Sequence, residues 1–282
     1  MSNLAPSIPK KPISQAKIDA LIKARSAIKS KNRTQKGEDN LIVLLIFIAK
    51  FGISTRRVAS YFVGDSQGRV IRRAIKLGLI RTVELERACK TLQFGVEQAV
   101  IALTQEGYQR VTEEGLDLAY PEIHNQRINY AQVSHNLTIQ LVLKSLLSSG
   151  NAVSFLTERM YGVEDQEGIK RFDAISIDQE GRKMGIEVEL TPKDGRSYCL
   201  MRRRIVRAIL GDERYQAGEI SLVYVYLNAA NRLRYQVGLS AKAKIYSWVK
   251  SAANKWVKSS NSPYLIPDTV ATRIIFPKMP GE

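Results

Sequence analysis

The stretch RFDAISIDQEGRKMGIEVELTPK, residues 171–193, places acidic residues inside an otherwise apolar pattern. Its segments 172–177 and 184–190 are rich in Phe, Ile and Val, residues that favour β-strands. The polar residues 178–183 between them include a glycine and are typical of a turn. The stretch therefore predicts a β-hairpin.

Three carboxylates meet on this predicted hairpin. Side chains alternate along a strand, so Glu187 and Glu189 share one face, and folding about the turn brings Asp173 level with them. Each close pair repels by roughly 1 kcal/mol or more at the effective dielectric near a protein surface, unless a cation lies among them. Oxygen ligands of this kind suit a hard divalent cation, but a solvent-facing strand with merely exposed carboxylates would carry the same pattern.

Length and composition bound the class of protein. A chain of 282 residues has room for two domains, and 44% hydrophobic with 25% charged residues is a globular mixture. No apolar run approaches the length of a membrane span, and residues 1–11 lack the apolar centre of a signal peptide, so we expect a cytoplasmic protein. Cys89 and Cys199 are too few for a disulfide framework or a thiolate zinc site.

The charge balance indicates a polyanionic partner. The sequence holds 43 Lys and Arg against 27 Asp and Glu, a net charge of +16, and nucleic acid is the default candidate. Residues 1–37 hold nine of these basic residues and one acid, which predicts a flexible basic arm leading into a short helix. The arm either lies along phosphates or is a solvated tail.

Residues 38–118 have the layout of a winged helix-turn-helix domain. The pattern predicts an apolar helix over 41–51, a second helix capped by Ser54 and ending near residue 62, and a third over 68–77. The third helix keeps its basic residues on the outer side, where they suit the major groove of DNA. These predicted DNA-binding residues are Arg69, Arg72, Arg73 and Lys76.

The runs 79–83 and 99–104 are expected to form the wing. The sequence Leu-Thr-Gln-Glu-Gly at 103–107 resembles the segment that closes the wing in many bacterial DNA-binding proteins. Any two-helix corner with a basic outer face would show a similar pattern, but the net charge favours DNA binding.

A second domain is predicted over residues 129–282, after a linker at 119–128 that contains a Tyr-Pro pair. Its predicted helix 129–147 carries His135, which is either a structural residue or close enough to approach a phosphate. The remaining predicted elements are strands over 153–156, 220–227 and 274–276 and a helix over 196–211. That helix adds Arg202 and Arg203 to the residues expected to bind DNA.

A basic and aromatic segment follows the strand at 220–227. No acid occurs between residues 220 and 267, whereas seven Lys and Arg are interleaved with Tyr246, Trp248 and Trp256. This mixture suits a groove that follows a nucleic-acid strand, but a helix over 241–257 would need the same aromatics in its core. We expect the aromatics to lie in the core and the charges to face DNA.

The order Asp173, Glu187 with Glu189, then Lys193 resembles the core of the PD-(D/E)xK nucleases, which have the restriction-endonuclease-like fold. In those enzymes an Asp and an acid-x-Lys pair on adjacent strands hold the metal and the attacking water. Here Glu189 takes the place of the usual Lys, as in some restriction enzymes, and Lys193 is close enough to return a positive charge. The expected fold class is α+β, a winged helix-turn-helix followed by an αβββαβ restriction-endonuclease-like domain.

With its winged helix and with His135-Asn-Leu opening the second half, the chain over residues 40–230 resembles the replication-relaxation family, which includes the MobC-type mobilisation relaxases. The resemblance implies a DNA endonuclease that nicks one strand at a plasmid origin, together with accessory mobilisation or coupling proteins. It implies Mg²⁺ or Mn²⁺ held by Asp173, Glu187 and Glu189. Lys193 would stabilise charge, and His135 would be a further site residue.

Three other functions stay open. They are a non-catalytic origin-binding replication initiator or repressor, a double-strand restriction-type endonuclease, and an RNA-directed enzyme. The attacking group also has an alternative: the carboxylates suit activation of water, whereas Tyr198, five residues beyond Lys193, is a possible nucleophile. The three-histidine metal site of better-known tyrosine relaxases cannot be built, because the chain has only His124 and His135.

Overall fold

The computed structural model describes residues 33–91, 95–116, 132–160, 172–211 and 220–281. It is a mixed structure of helices and several sheets, so the predicted α+β class is confirmed. The chain divides into a first unit, Met1–Val83 with Ile101–Ile128, and a second unit, Glu84–Val100 with Asn129–Glu282. The predicted arm up to residue 32 and the linker 119–128 lie outside the described residues.

The first unit is built around one long apolar helix. The helices are α1 (Arg33–Phe51), α2 (Arg56–Val63), α3 (Arg69–Lys76) and α4 (Gln105–Glu113). Helix α1 packs against the other three and buries Leu44, Leu45 and Ile48 completely. Phe47 stacks on Phe62 of α2, with ring centroids 4.0 Å apart. The apolar pattern that predicted this helix therefore supplies the core of the unit.

The three strands before α4 form a three-stranded sheet. They are β1 (Ile53–Ser54), β2 (Ile80–Thr91) and β3 (Gly95–Leu103), in the order β1-β3-β2. The hairpin β2–β3 is longer than the predicted wing runs, and Glu84–Val100, its outer part, belongs to the second unit. Ser54 is paired in β1, so the predicted cap is wrong: Thr55 caps α2 by accepting a hydrogen bond from the Val58 amide at 3.2 Å.

The sheet of the second unit mixes parallel and antiparallel strands. In chain order the second unit's strands are β4 (Ser154–Thr157), β5 (Ala174–Ile177), β6 (Lys183–Glu189), β7 (Ile220–Leu227), β8 (Lys244–Ile245), β9 (Trp248–Lys250), β10 (Trp256–Lys258), β11 (Tyr264–Leu265) and β12 (Ile274–Ile275). The five-stranded sheet has the order β12-β7-β6-β5-β4. Strands β12, β7 and β6 are parallel, whereas β6, β5 and β4 are antiparallel neighbours. The predicted hairpin is thus β5–β6 at the centre of this sheet.

Helices cover the five-stranded sheet. They are α5 (Val133–Ser148), α6 (Gly195–Ile209), α7 (Ala229–Gly238) and the short α8 (Asp268–Ala271). Helix α5 packs on β5 and β6, and α6 packs on β7, where Ile205 and Val225 belong to one buried cluster. Helix α7 was not among the predicted elements, and its Tyr235 is fully buried in that cluster.

The segment 241–257 is not a helix. It contains β8 and β9 and the first residues of β10, and β9 and β10 form an antiparallel pair. The turn between β9 and β10 holds Asn254 in a left-handed conformation, φ 56°, which a continuous helix does not allow. Tyr246 and Trp248 pack partly buried against the core, but Trp256 is 44% exposed, so the expectation of core aromatics is wrong for this residue. No described helix has both the length and the apolar character needed to cross a bilayer.

Candidate active site

The predicted acidic residues lie at one edge of the five-stranded sheet. Strands β6 and β7 are parallel and end there, and β5, which is antiparallel to β6, begins there just after Asp173. The carboxyl ends of parallel strands are the usual position for ligands in α/β sheets. We call the group formed by Asp173, Glu187, Glu189, His135 and Lys193 the acid site.

Two of the carboxylates are buried. Glu187 is 3% exposed and Glu189 6%, so the alternative of a solvent-facing strand is wrong. Glu187 lies opposite Val225 and Glu189 opposite Leu227 in the parallel pair, and both partners belong to the buried cluster under α6. Burial of an ionised carboxylate costs several kcal/mol unless positive charge or hydrogen-bond donors surround it. The buried acids therefore require compensating positive charge or hydrogen bonds nearby.

Asp173 and His135 are joined through the backbone of Val188. The Val188 N–H donates to Asp173 Oδ2 at 2.7 Å, and His135 Nε2 lies 2.9 Å from the Val188 carbonyl oxygen. Because a carbonyl oxygen only accepts, Nε2 carries the hydrogen. The same nitrogen lies 3.4 Å from Asp173 Oδ2. Val188 is beyond the last β5–β6 pair, Ala174 opposite Ile186, so side chains take the place of strand pairing.

The electrostatics of His135 follow from these contacts. Burial acts to lower its pKa, but the hydrogen bond and negative charge of Asp173, the Val188 carbonyl and the charge of Glu187 raise the pKa to about 9. The imidazole is therefore charged at neutral pH. His135 is thus engaged within the protein, with the Val188 carbonyl and with Asp173, and its approach to a phosphate stays a prediction.

Lys193 reaches back to the acid site from the loop after β6. Its Nζ forms an ion pair with Oε2 of Glu189, four residues earlier in the chain. The loop is held by α7: the Lys193 N–H donates to the Tyr235 hydroxyl at 3.3 Å, and Arg234 donates to the Lys193 carbonyl at 2.9 Å. Asn228 donates to the Leu190 carbonyl at 3.2 Å.

Sequence reasoning did not identify Asn228, Arg234 and Tyr235 as residues that position this loop. One signal was present, because an Asn directly after an apolar strand and before two alanines is a helix N-cap. The structure has this cap, in which the Asn228 side chain accepts a hydrogen bond from the Asn231 N–H at 3.1 Å. The contacts to the loop themselves depend on residues about forty positions away and have no local signal.

Tyr198 lies in the first turns of α6, beside the acid site in sequence. Its hydroxyl donates to the Arg234 carbonyl at 3.1 Å, and its ring meets the edge of Tyr235 with centroids 5.0 Å apart. Burial raises the pKa of Tyr198, and the nearby charges of Arg202 and Arg234 only partly oppose this. A tyrosine nucleophile needs an ionised or strongly activated hydroxyl, which these surroundings disfavour.

Arg202 does not face solvent. The structure buries it to 5% exposure between α6 and α7, so the prediction that it contacts DNA is wrong. It lies one turn beyond Tyr198, with the guanidinium 5.0 Å from that ring, and Gly238 of α7 makes room for both side chains. Arg203 is partly exposed and donates to the Ser247 hydroxyl at 3.4 Å.

The basic residues of α3 lie on the surface, as the sequence pattern predicts. Buried Ile71 and Ala74 hold the helix in the first unit, while the outer side carries exposed Arg69, Arg72, Arg73 and Lys76. Arg73 is not fully available to a ligand, because it forms an ion pair of 2.5 Å with Glu38 of α1.

The acid site offers carboxylate oxygens, which are the type of ligand that Mg²⁺ or Mn²⁺ prefers. Within the described ranges, no three or more His, Cys, Asp or Glu side chains are arranged to hold a metal ion. Mg²⁺, however, commonly binds through one or two carboxylates and completes its shell with water and substrate phosphate oxygens. The charges of Asp173 and Glu187 both help to raise the pKa of His135, so both carboxylates belong to the surroundings of this imidazole.

A groove of about 600 Å³ lies at the opposite edge of the sheet, beside the β5–β6 turn. Its charged residues are used within the protein: Asp178 pairs with Arg182 at 2.7 Å, and Arg273 donates to the backbone carbonyls of Ser221 and Ile209. The groove therefore presents no cluster of like charges that calls for a ligand, in contrast to the acid site.

Comparison of the chain with protein-family models, curated proteins and solved structures finds no match.

Proposed function

We propose that this protein binds DNA and nicks one strand, with plasmid-origin DNA as the substrate and Mg²⁺ or Mn²⁺ as the metal. The observation that carries the proposal is the acid site at the carboxyl edge of the sheet, which holds the buried Glu187 and Glu189. Two cationic side chains belong to it, His135 paired with the partly buried Asp173 and Lys193 paired with Glu189. Such a site suits a phosphodiester, because bound metal needs carboxylates and the reacting phosphate needs positive charge.

The order of elements supports the proposed domains. In the second unit, α5, the antiparallel strands β4, β5 and β6, then α6 and the parallel strand β7 follow the αβββαβ order of the restriction-endonuclease-like fold. In the first unit, three helices and the sheet β1-β3-β2 have the order of a winged helix. Its exposed Arg69 and Arg72 would address guanine edges or phosphates.

The proposed mechanism assigns a role to each residue of the acid site. Asp173 and Glu187 would hold the metal, which when bound polarises the phosphate and lowers the pKa of bound water. His135 orients Asp173 and keeps positive charge beside it. Lys193, ion-paired with Glu189, would bring positive charge to the phosphate, and Glu189 would position that lysine rather than bind metal directly.

Water is the proposed nucleophile. The hydroxyl of Tyr198 is already engaged with a backbone carbonyl, and burial raises its pKa. Water needs no such ionised side chain when carboxylates and a metal are present.

The direct test is nicking of supercoiled plasmid with Mg²⁺, Mn²⁺ or EDTA. We expect the metal-dependent open-circular product to fall by more than about 100-fold in Asp173→Asn and Glu187→Gln. The matched control is Glu180→Gln, which removes an exposed acid from the β5–β6 turn and should cut like the wild type.

A second candidate, a non-catalytic origin-binding protein, is favoured by one observation. Protein cations already accompany two of the carboxylates, His135 beside Asp173 and Lys193 beside Glu189, as in a site that needs no metal. This second function would be supported if neither the wild type nor Asp173→Asn cuts plasmid, with or without metal, while both still bind DNA. Linear product would instead indicate a restriction-type endonuclease, and cleavage of RNA alone would indicate an RNA-directed enzyme.

A further inference from the structure

The hairpin formed by β9 and β10 separates its side chains into two chemically different faces. In its antiparallel register Trp256 lies opposite Lys250 and Lys258 opposite Trp248. Directly opposed residues and those two positions apart share a face. One face therefore carries two tryptophans and two lysines, whereas the other carries the valines Val249 and Val257.

The outer part of the first face is exposed and positively charged. Trp256 is 44% exposed and Lys250 and Lys258 are exposed, whereas Trp248 packs partly buried against the core. No acid occurs in the sequence between residues 220 and 267 to neutralise them locally. Lys250 instead lies over the Trp256 ring, with its nitrogen 5.7 Å from the ring centroid. An exposed aromatic ring beside lysines is the combination that binding sites for single-stranded nucleic acid use.

Both tryptophans of this face contact the start of helix α6. The Arg196 guanidinium, in the first turn of α6, stacks 3.8 Å from the Trp256 ring centroid. At the base of the hairpin, Trp248 packs beside Gly195, where an added Cβ would lie 3.7 Å from the ring. Gly195 and Arg196 follow Lys193 after one residue, Asp194, so the contacts of both tryptophans lie close in sequence to the acid site.

We propose that the β9–β10 hairpin binds single-stranded DNA, with a base stacking on Trp256 and phosphates contacting Arg196 and the lysines. An unpaired base has free faces, whereas a base inside a duplex is already stacked on both sides. The hairpin therefore selects the unpaired strand that leaves the acid site. The choice of DNA rests on the proposed function, but the binding itself needs neither metal nor cleavage.

The first experiment uses the fluorescence of the hairpin itself. The chain has two tryptophans, so full-length Trp248→Phe leaves Trp256 as the only one. Titration with an oligo-dT strand in EDTA and low salt should quench its fluorescence to saturation, and added salt should weaken the binding. If oligo-dT leaves the Trp256 fluorescence unchanged, the proposal is overturned. This holds whether or not the protein nicks plasmid.

The second experiment measures the contribution of the ring. Binding of labelled oligo-dT should weaken about 5- to 100-fold in Trp256→Leu and recover in Trp256→Phe, which keeps an aromatic face. Val257→Ala, on the opposite face of the same strand and 41% exposed in the native chain, is the matched control and should bind like the wild type. A duplex of equal length should bind equally well to wild type and Trp256→Leu.

Three results would contradict the assignment. The first is unchanged oligo-dT affinity in Trp256→Leu. The second is an equal loss of affinity for duplex and for single strand in that variant. The third is Trp256-dependent binding that is tighter for oligo-U than for oligo-dT. Failure of plasmid nicking with intact oligo-dT binding would contradict the proposed function alone, because this assay contains no metal.

Discussion

His135 and Lys193 each place a positive charge beside a carboxylate at the end of the central hairpin. Sequence reasoning treats the three acids as mutually repelling and assigns their neutralisation to a metal. The structure shows a second source of positive charge within the chain. The acid site is thus balanced by side chains from α5 and from the loop after β6, and a metal would have to compete with them or add to them.

The ion pair of His135 and Asp173 makes a prediction about pH. The pKa of His135 is raised from 6.5 to about 9, so its stabilising contribution is complete below pH 6.5 and is lost as pH rises through 9. His135→Gln should therefore destabilise the protein more at pH 6 than at pH 10, by as much as about 3 kcal/mol.

Histidine NMR tests this prediction directly. With two histidines in the chain, the resonance missing from His135→Gln identifies His135, and its titration midpoint should lie near pH 9. Asp173→Asn should move that midpoint down, because it removes the charge that raises the pKa. A midpoint near 6.5 in the wild-type protein would contradict the ion pair.

The nucleophile is a second question at the residue scale. A protein-linked DNA end requires attack by a tyrosine such as Tyr198, whereas attack by water leaves a free end. We expect wild type and Tyr198→Phe to give the same free-ended product on a denaturing gel, before and after protease. A protein-linked band that is absent in Tyr198→Phe would show that the tyrosine attacks.

Helix α4 shows how an element can depend on one missing side chain. Its first turn follows Thr104, whose hydroxyl accepts a hydrogen bond from the Gly107 amide at 3.1 Å. A Cβ at Gly107 would lie 1.9 Å from the Leu79 carbonyl oxygen, a backbone atom that cannot move aside without disturbing the strand entry. The motif Leu-Thr-Gln-Glu-Gly therefore combines a helix cap with a close approach between backbones.

We expect Gly107→Ala to lower the free energy of unfolding by more than about 2 kcal/mol, because the extra methyl overlaps the Leu79 carbonyl. Gly37→Ala is the matched control, since its Cβ would meet only the tip of Arg73 at 3.4 Å within α1. Alanine favours a helix over glycine, so this control should change stability by no more than about 1 kcal/mol. Urea unfolding measures the stability of both variants. If Gly107→Ala changes the free energy of unfolding as little as Gly37→Ala does, the close approach of Gly107 to the Leu79 carbonyl is contradicted.

At the scale of the whole molecule, the proposed function divides its work between two units. The first unit presents the basic side of α3, and the second holds the acid site. If the units act separately, loss of sequence recognition should leave the chemistry intact. Arg69 and Arg72 are the residues to change, because Arg73 is engaged with Glu38.

We expect Arg69→Ala with Arg72→Ala to lose about 1–3 kcal/mol of binding free energy for each base contact removed, measured on a duplex selected from a random library. Metal-dependent nicking of non-specific plasmid should continue. Arg73→Ala serves as the control and should weaken binding less. Unchanged affinity in the double variant would place sequence recognition outside α3.

The sequence by itself determined the hairpin β5–β6, the apolar strand β7 and the three helices α1, α2 and α3. Each of these elements has a strong local pattern. The hairpin shows alternation on both sides of a polar turn, β7 is a continuous apolar run, and the helices have an apolar side, which in α3 lies opposite a basic side. The alternation also placed Glu187 and Glu189 on one face without any knowledge of what lies above it. Such features depend on neighbouring residues, and local physics is sufficient for them.

Only the tertiary structure decided what surrounds the acids. The pairing of His135 with Asp173 joins residues 38 positions apart in sequence, and α7 holds the Lys193 loop from a similar distance. Arg202 has the same local appearance as its exposed neighbours, yet it is buried because Gly238 leaves space on the facing helix. Burial, partner charges and pKa values are properties of packing between distant segments, so a local pattern does not contain them.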